Sequence, residues 1–172
     1  MQVSTPATDP VAIVTGGSRA VVRDVARSLT TRGYAIVLVY LHDQRRAEAA
    51  VEEVLAMGGT ALAVRADLTD DLDVERLFTE TIAAFGGVDA VVHTAVFGSS
   101  VLYRHAARHL RRGSPIVSVS TAEQIPPVLA QQLRERDITI NGAPPGLEPP
   151  GAYRDVPQLI ELLDRWRRRP AG

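Results

Sequence analysis

The sequence contains neither cysteine nor lysine, and all 19 of its basic residues are arginines. Without cysteine the chain forms no disulfides and offers no thiol nucleophile or thiolate metal ligand. Without lysine it has no side-chain amine for a Schiff base or for proton transfer. Arginine does not replace that amine because its guanidinium stays ionised. Two large classes of covalent and redox chemistry are therefore excluded for this chain.

Strong net charge and long apolar runs are also missing. The net charge is −1, and no long block carries one sign, so the sequence lacks the basic patch of a nucleic-acid-binding protein. No run is long enough to span a membrane, and the polar residues 1–9, which we expect to form a flexible tail, do not resemble a secretory signal. These features predict a soluble, cytoplasmic protein.

Short apolar runs alternate with helical patterns along the chain, which has the length of a single domain of 172 residues. This alternation is typical of an α/β protein with a doubly wound parallel sheet, here of six strands in the order 3-2-1-4-5-6. The predicted strands are 11–14, 34–39, 61–64, 88–92, 116–119 and 138–140. Ligands of such sheets bind at the carboxyl ends of the strands.

The most informative segment is VAIVTGGSRAVVRDVA, residues 11–26. An apolar strand, a turn containing Gly16 and Gly17, and a helical pattern follow one another. Backbone N–H groups at such a helix start can bind a phosphate. The alternative is that the glycines are needed only to make the turn.

Five segments resemble the short-chain dehydrogenase/reductase family, in family order: VAIVTGGSR, RADLTD, GGVDAVVHTAV, SPIVSVST and RDITINGAPPG. The resemblance is greatest to 3-oxoacyl-reductase-like members and extends from about residue 10 to 147. It implies a Rossmann-like sheet that binds NADP or NAD. The second half is shorter than is usual in that family.

The resemblance fails at the catalytic residues. The family uses a Ser together with a Tyr-x-x-x-Lys pair, in which Tyr donates a proton. Here Thr121 stands at the Ser position, as the one catalytic candidate, and residues 122–137 contain no tyrosine. A strand-end hydroxyl that only satisfies the backbone is the simpler interpretation of Thr121. The standard carbonyl-reducing pair is absent.

The cofactor positions implied by the resemblance are partly retained. Gly16, Ser18 and Arg19 match the first turn, and Arg19 stands where NADP-type members place a base for the 2′-phosphate. Tyr40 occupies the end of the second strand, where NAD-type members carry an acid. NADP is therefore the expected cofactor, although Arg19 could also be an ordinary solvated arginine.

The family's adenine-contacting residues are better retained in this sequence than its nicotinamide-contacting residues. Asp67 and Leu68 match the adenine-contacting pair, although Asp67 could simply belong to a helix cap. Thr94 and Ala95 fall among the cofactor-contacting positions after the fourth strand, but the family's asparagines and glycine there are replaced. Val22 also replaces a glycine, and we expect its side chain to intrude on the pyrophosphate. Cofactor binding should therefore be weak or lost.

Two functions remain open. The chain is either a binding or partner module without the family's chemistry, or a biosynthetic enzyme that uses Thr121, His93 or Tyr103 in the old cleft. That enzyme would be a non-standard NADPH-dependent oxidoreductase or a non-redox cyclase or dehydratase.

The histidines and the termini complete the predictions. His105 and His109 have helical i,i+4 spacing, but the motif contains no acid, so we expect no metal site and solvated or half-buried histidines.

A final helix with Leu159, Ile160, Leu162, Leu163 and Trp166 could cover a sheet face that the short second half leaves bare. We expect a homodimer through that second half.

Overall fold

The computed structural model describes residues 9–16, 20–95, 98–118, 125–141 and 156–167. It contains one parallel sheet of six strands in the order β3-β2-β1-β4-β5-β6. The predicted α/β, doubly wound, Rossmann-like architecture is confirmed. The expected tail, residues 1–9, lies outside the described residues except for Asp9.

The bounds of the elements differ from the predicted ones by one or two residues. The strands are β1 (Val11–Thr15), β2 (Ala35–Tyr40), β3 (Thr60–Arg65), β4 (Ala90–His93), β5 (Pro115–Ser118) and β6 (Thr139–Ile140). The helices are α1 (Ala20–Thr30), α2 (Gln44–Ala56), α3 (Asp71–Phe85), α4 (Ser99–His109), α5 (Pro127–Glu135) and α6 (Val156–Arg167).

The central strand β1 sets the register of the sheet. Its last residue, Thr15, is aligned with Val39 of β2 on one side and with His93 of β4 on the other. All five residues of β1 are buried because helices cover both faces of the sheet. This explains why β1 is a continuous apolar run rather than an alternating one.

Two apolar clusters lie on opposite faces of the sheet. One joins the strands to α3, α4 and α5, and includes Phe78, Leu102 and Leu133. The other joins them to α1, α2 and α6, and includes Leu29 and Val54. Each face of the sheet is therefore packed against three helices.

The final helix covers part of one sheet face, which is one of the two arrangements that the sequence left open. Ile160, Leu162 and Leu163 of α6 are buried on the α1 side of the sheet. Arg32 Nε, at the end of α1, donates to Asp164 Oδ1 at 2.8 Å and forms an ion pair with it. The side chains of Leu159 and Trp166 lie outside the described part. None of the described helices combines the length and apolar character needed to cross a bilayer.

Candidate functional site

The candidate site lies where β1 and β4 run side by side. From these two strands the chain crosses over in opposite directions, which is the point at which ligands bind in open α/β sheets. Gly16 follows β1, and Thr94 and Ala95 follow β4. The predicted site residues Gly16, Thr94 and Ala95 therefore share one edge of the sheet.

A buried polar network links the ends of these two strands. The His93 ring contacts the Thr15 hydroxyl through Nδ1 at 2.8 Å and the Ser99 hydroxyl through Nε2 at 2.9 Å. The Thr94 hydroxyl donates to the Thr15 carbonyl at 2.6 Å, and the Thr94 N–H donates to Thr15 Oγ1 at 3.3 Å. All four residues are buried. Their polar groups are satisfied by one another, as burial requires.

Gly16 is required by this network as well as by the turn. Its φ of 99° lies in the region that favours glycine. A Cβ built on it would also fall on the Thr94 hydroxyl, well inside van der Waals contact. The glycine is thus explained by close packing of β1 against the loop after β4, independently of any phosphate.

The network places two catalytic candidates out of reach. His93 is fully buried with both ring nitrogens engaged, and the Tyr103 ring is buried with its edge against His93 at a centroid distance of 6.0 Å. A group that performs acid–base chemistry must reach the substrate. The structure therefore contradicts the idea that His93 and Tyr103 line an open cleft. Thr121 lies outside the described residues.

Val22 also differs from its expected role. Its side chain has no exposed surface and packs in the cluster on the α1 face of the sheet, together with Val14 and Val25. The family's glycine at this point allows close packing of helix on strand. Here the side chain fills core volume instead of projecting toward a pyrophosphate, and that expectation is corrected.

Asp67, which the resemblance assigns to an adenine contact, lies in the loop after β3. Asp67 Oδ1 accepts from the Thr69 N–H at 2.9 Å and from the Thr69 hydroxyl at 2.6 Å. The hydroxyl hydrogen bond holds the pKa of Asp67 below its ordinary value, so the carboxylate is ionised at neutral pH. Among the described residues nothing donates to Oδ2, so both hydrogen bonds from Thr69 are on the other oxygen.

The local interpretation of Asp67 is also supported. Its own N–H donates to Asp73 Oδ2 at 2.9 Å, while Asp70 is the N-cap of α3 and accepts from the Asp73 N–H. Asp67 therefore belongs to the turn that leads into α3, as the capping alternative proposed. The structural role and an adenine contact use different oxygens and are compatible.

Leu68 lies against the loop that follows β4. A Cβ built on Gly98 would be 2.6 Å from both the Leu68 Cβ and its carbonyl oxygen, and the φ of Gly98 is 87°. The two loops are in close backbone contact here. A residue with a side chain at position 98 would therefore push the two loops apart and displace Leu68.

Tyr40 ends β2, half-buried, and no acid stands beside it in the strand. Directly after it, His42, Asp43 and Arg45 line an open pocket at the start of α2. Arg45 contributes a positive charge to this pocket, and Asp43 and Glu48 contribute carboxylates. The signal of this pocket in the sequence was the HDQRR segment after β2, which motif matching did not assign. Ser18 and Arg19 lie outside the described residues.

An acid from another helix does lie beside His105 and His109, although the sequence motif around them contains none. Glu75 of α3, 30 residues earlier in the chain, contacts His105 Nδ1 at 2.7 Å and His109 Nε2 at 2.9 Å through one oxygen. The His109 hydrogen bond holds the pKa of Glu75 below its ordinary value. His105 is buried and His109 half-buried, so neither is a solvated residue.

The chain is similar in sequence to known dehydrogenases and reductases. A sequence model described as short chain dehydrogenase matches residues 10–111. Hydroxynaphthalene reductase-like protein Arp2 of Metarhizium robertsii is 32% identical over 137 residues, which cover 66% of this chain and 51% of that protein. The 3-oxoacyl-[acyl-carrier-protein] reductase FabG of Staphylococcus aureus is 36% identical over 84 residues, 49% of this chain and 34% of that protein. The chain thus spans about half or less of the curated relatives that it matches.

Solved structures give the same result. A short chain dehydrogenase from Burkholderia cenocepacia, determined in complex with NADP, has a TM-score of 0.63 and 27% identity, covering 76% of this chain and 72% of that one. A dehydrogenase/reductase from Sinorhizobium meliloti has a TM-score of 0.66 and 27% identity, covering 91% and 86% respectively.

Proposed function

Because this chain belongs to the short-chain dehydrogenase family, we propose that it is a member without carbonyl-reducing chemistry, which binds the adenosine half of NADP(H) weakly and acts as a binding or partner module. The observation that carries the proposal is the closed polar network at the ends of β1 and β4. Its groups are buried and bonded to one another. Buried groups that are already hydrogen-bonded to one another present no exposed donor or acceptor to a nicotinamide or a substrate.

The residues present fit the cofactor unevenly. Asp67 Oδ2 and the edge at Leu68 suit an adenine, and the exposed Arg45 offers a phosphate one positive charge in a pocket that also contains Asp43 and Glu48. At the nicotinamide end, the His93 imidazole and the Thr94 hydroxyl already form hydrogen bonds within the protein. We therefore assign adenosine binding to this chain and derive no hydride transfer from it.

A repurposed enzyme is the second candidate. With His93 and Tyr103 buried, its chemistry would depend on Thr121 and on shape and electrostatics alone. The described residues give no specific support for it.

The proposal predicts that the protein does not reduce ketones. Purified protein is assayed with NADPH and generic ketones or 3-oxoacyl thioesters, because these are the substrates that a Tyr–Lys pair would serve. A matched preparation of an active family member serves as the positive control. Turnover in the usual enzyme range of about 1–10³ s⁻¹ would contradict the proposal.

Cofactor preference is predicted from Arg19. Arg19→Ala should weaken NADP(H) binding and leave NAD(H) binding nearly unchanged, because only NADP(H) carries the 2′-phosphate. Arg23→Ala is the matched control, since Arg23 of α1 forms an ion pair with Glu53 instead. Calorimetry with both nucleotides measures the effect. An equal loss for both would exclude a 2′-phosphate contact.

We also propose a homodimer with its contact in the second half of the chain. A bare sheet face no longer supports this proposal, because α6 covers part of that face. The supporting feature is the two-residue strand β6 at the sheet edge, whose outer side has no partner strand in the described sheet. Light scattering at micromolar concentration should give twice the chain mass. A monomer would mean that intramolecular packing of α6 suffices, and would contradict the dimer.

A further inference from the structure

The cluster formed by α3 and α4 has the composition of a metal site. Glu75, His105 and His109 each supply one ligand atom, and the three atoms lie within 4.8 Å of one another. His105 and His109 are one helical turn apart on α4 and therefore share a face. Two imidazoles and one carboxylate form a ligand set that zinc uses when three protein ligands hold the ion.

A second contact orients one of the histidines. The distal ring nitrogen of His105, Nε2, lies 3.0 Å from Asp71 Oδ1. Asp71 is itself held by Arg104, whose guanidinium donates to the same oxygen at 2.6 Å. A histidine that binds metal through one nitrogen usually donates its other N–H to a carboxylate, which fixes the tautomer and ring orientation. His105 has this arrangement, with Nδ1 facing the cluster.

The surroundings leave one side of the cluster closed and the other open. Phe78 stacks on the rings of both His105 and His109, at centroid distances of 6.5 Å and 5.4 Å. The His105 side chain is 1% exposed, whereas those of His109 and Glu75 are 20% and 41% exposed. An ion can enter from the solvent side, where a water completes its coordination.

We propose that Glu75, His105 and His109 form a zinc site that joins α3 to α4, with Asp71 as the positioning residue for His105. Zinc binds histidine nitrogen and carboxylate oxygen at about 2.0–2.2 Å, which places tetrahedral ligands roughly 3.3 Å apart. The Glu75 oxygen is now 2.7 Å and 2.9 Å from the two nitrogens. It must withdraw by about half an ångström, which its exposed side chain permits.

Proton balance gives the site a recognisable signature. Metal binding requires that His105 Nδ1 and His109 Nε2 carry no proton, so any proton on these two nitrogens is released to solvent when the ion binds. Binding is therefore weaker at low pH. Two nitrogen ligands favour zinc and its transition-metal neighbours over Mg²⁺ or Ca²⁺, which prefer oxygen. This inference does not depend on the proposed nucleotide binding.

The test is titration of the intact, chelator-treated protein with ZnCl₂ in a calorimeter. We expect one ion per chain. Glu75→Gln and His109→Ala should each lower the affinity by more than about 100-fold, and Asp71→Asn by about 10–100-fold. Glu52→Gln is the matched control, because Glu52 is exposed on α2, on the opposite face of the sheet, and it should change nothing.

Co²⁺ provides a readout that needs no variant. A four-coordinate site with two histidine nitrogens, one carboxylate oxygen and one water should give the visible absorption bands of tetrahedral Co²⁺. These bands should disappear on addition of Zn²⁺. If wild-type protein binds no zinc and shows no such bands, or if Glu52→Gln lowers the affinity as much as Glu75→Gln, the proposal is overturned. The cluster would then be a hydrogen-bonded imidazole–carboxylate network only.

Discussion

Replacement of Gly16 by alanine should strongly destabilise the protein. The backbone at Gly16 has a positive φ, which costs alanine about 1–3 kcal/mol, and the new methyl group would collide with the Thr94 hydroxyl. For a domain of this size each kcal/mol lowers the melting temperature by about 2–4 °C. We expect a decrease of roughly 10 °C in a thermal unfolding experiment.

Gly33→Ala is the control that separates the cost of the positive φ from the cost of the collision with Thr94. Gly33 has a φ of 79°, but a Cβ there would meet nothing within 4 Å. This variant should therefore lose only the backbone contribution. Thr94→Ala in the Gly16→Ala background removes the colliding oxygen and should restore part of the stability. Gly16→Ala with the stability of Gly33→Ala, or no recovery in the double variant, would contradict the contact.

His93→Ala should have an effect of similar size for a different reason. Removing the ring leaves a cavity between β4 and α4 and deprives the Thr15 and Ser99 hydroxyls of a buried partner. The cavity and the two lost hydrogen bonds together should lower the free energy of unfolding by about 3 kcal/mol or more. Denaturation by urea measures this directly.

Two further variants define the role of His93. His42→Ala, at an exposed position, should remain within about 0.5 kcal/mol of the wild type. His93→Phe restores volume without the hydrogen bonds and should recover only part of the loss. If His93→Ala is as stable as the wild type, the ring does not hold the two strand ends together, and the argument for a closed nicotinamide end fails.

The sheet could be predicted from sequence because its signals are local. Buried parallel strands are continuous runs of Val, Ile and Leu, as in Ala35–Tyr40, and glycines such as Gly86 end the helices between them. The strand order followed from family resemblance and from the handedness of crossovers. Strand and helix ends moved by one or two residues because hydrogen bonding rather than composition fixes them.

The site could be predicted only in part because its contacts are distant in sequence. The segment around His105 and His109 contains no acid, and Glu75 reaches them only because α3 packs beside α4. The burial of His93 likewise depends on Thr15, 78 residues away. Val22 was misassigned because a motif gives the residue type but not the direction of the side chain. A helical pattern that placed Val22 with Val25 and Leu29 was the available signal.

Calorimetry of NADPH against adenosine 2′,5′-bisphosphate, which carries the adenosine end without the nicotinamide, tests the central claim most directly. If only the adenosine end of the site is retained, the two compounds should bind with dissociation constants within about tenfold of each other, a difference of at most about 1.4 kcal/mol. NADPH binding more than about 100-fold tighter than the fragment would contradict the account, as would binding of neither compound.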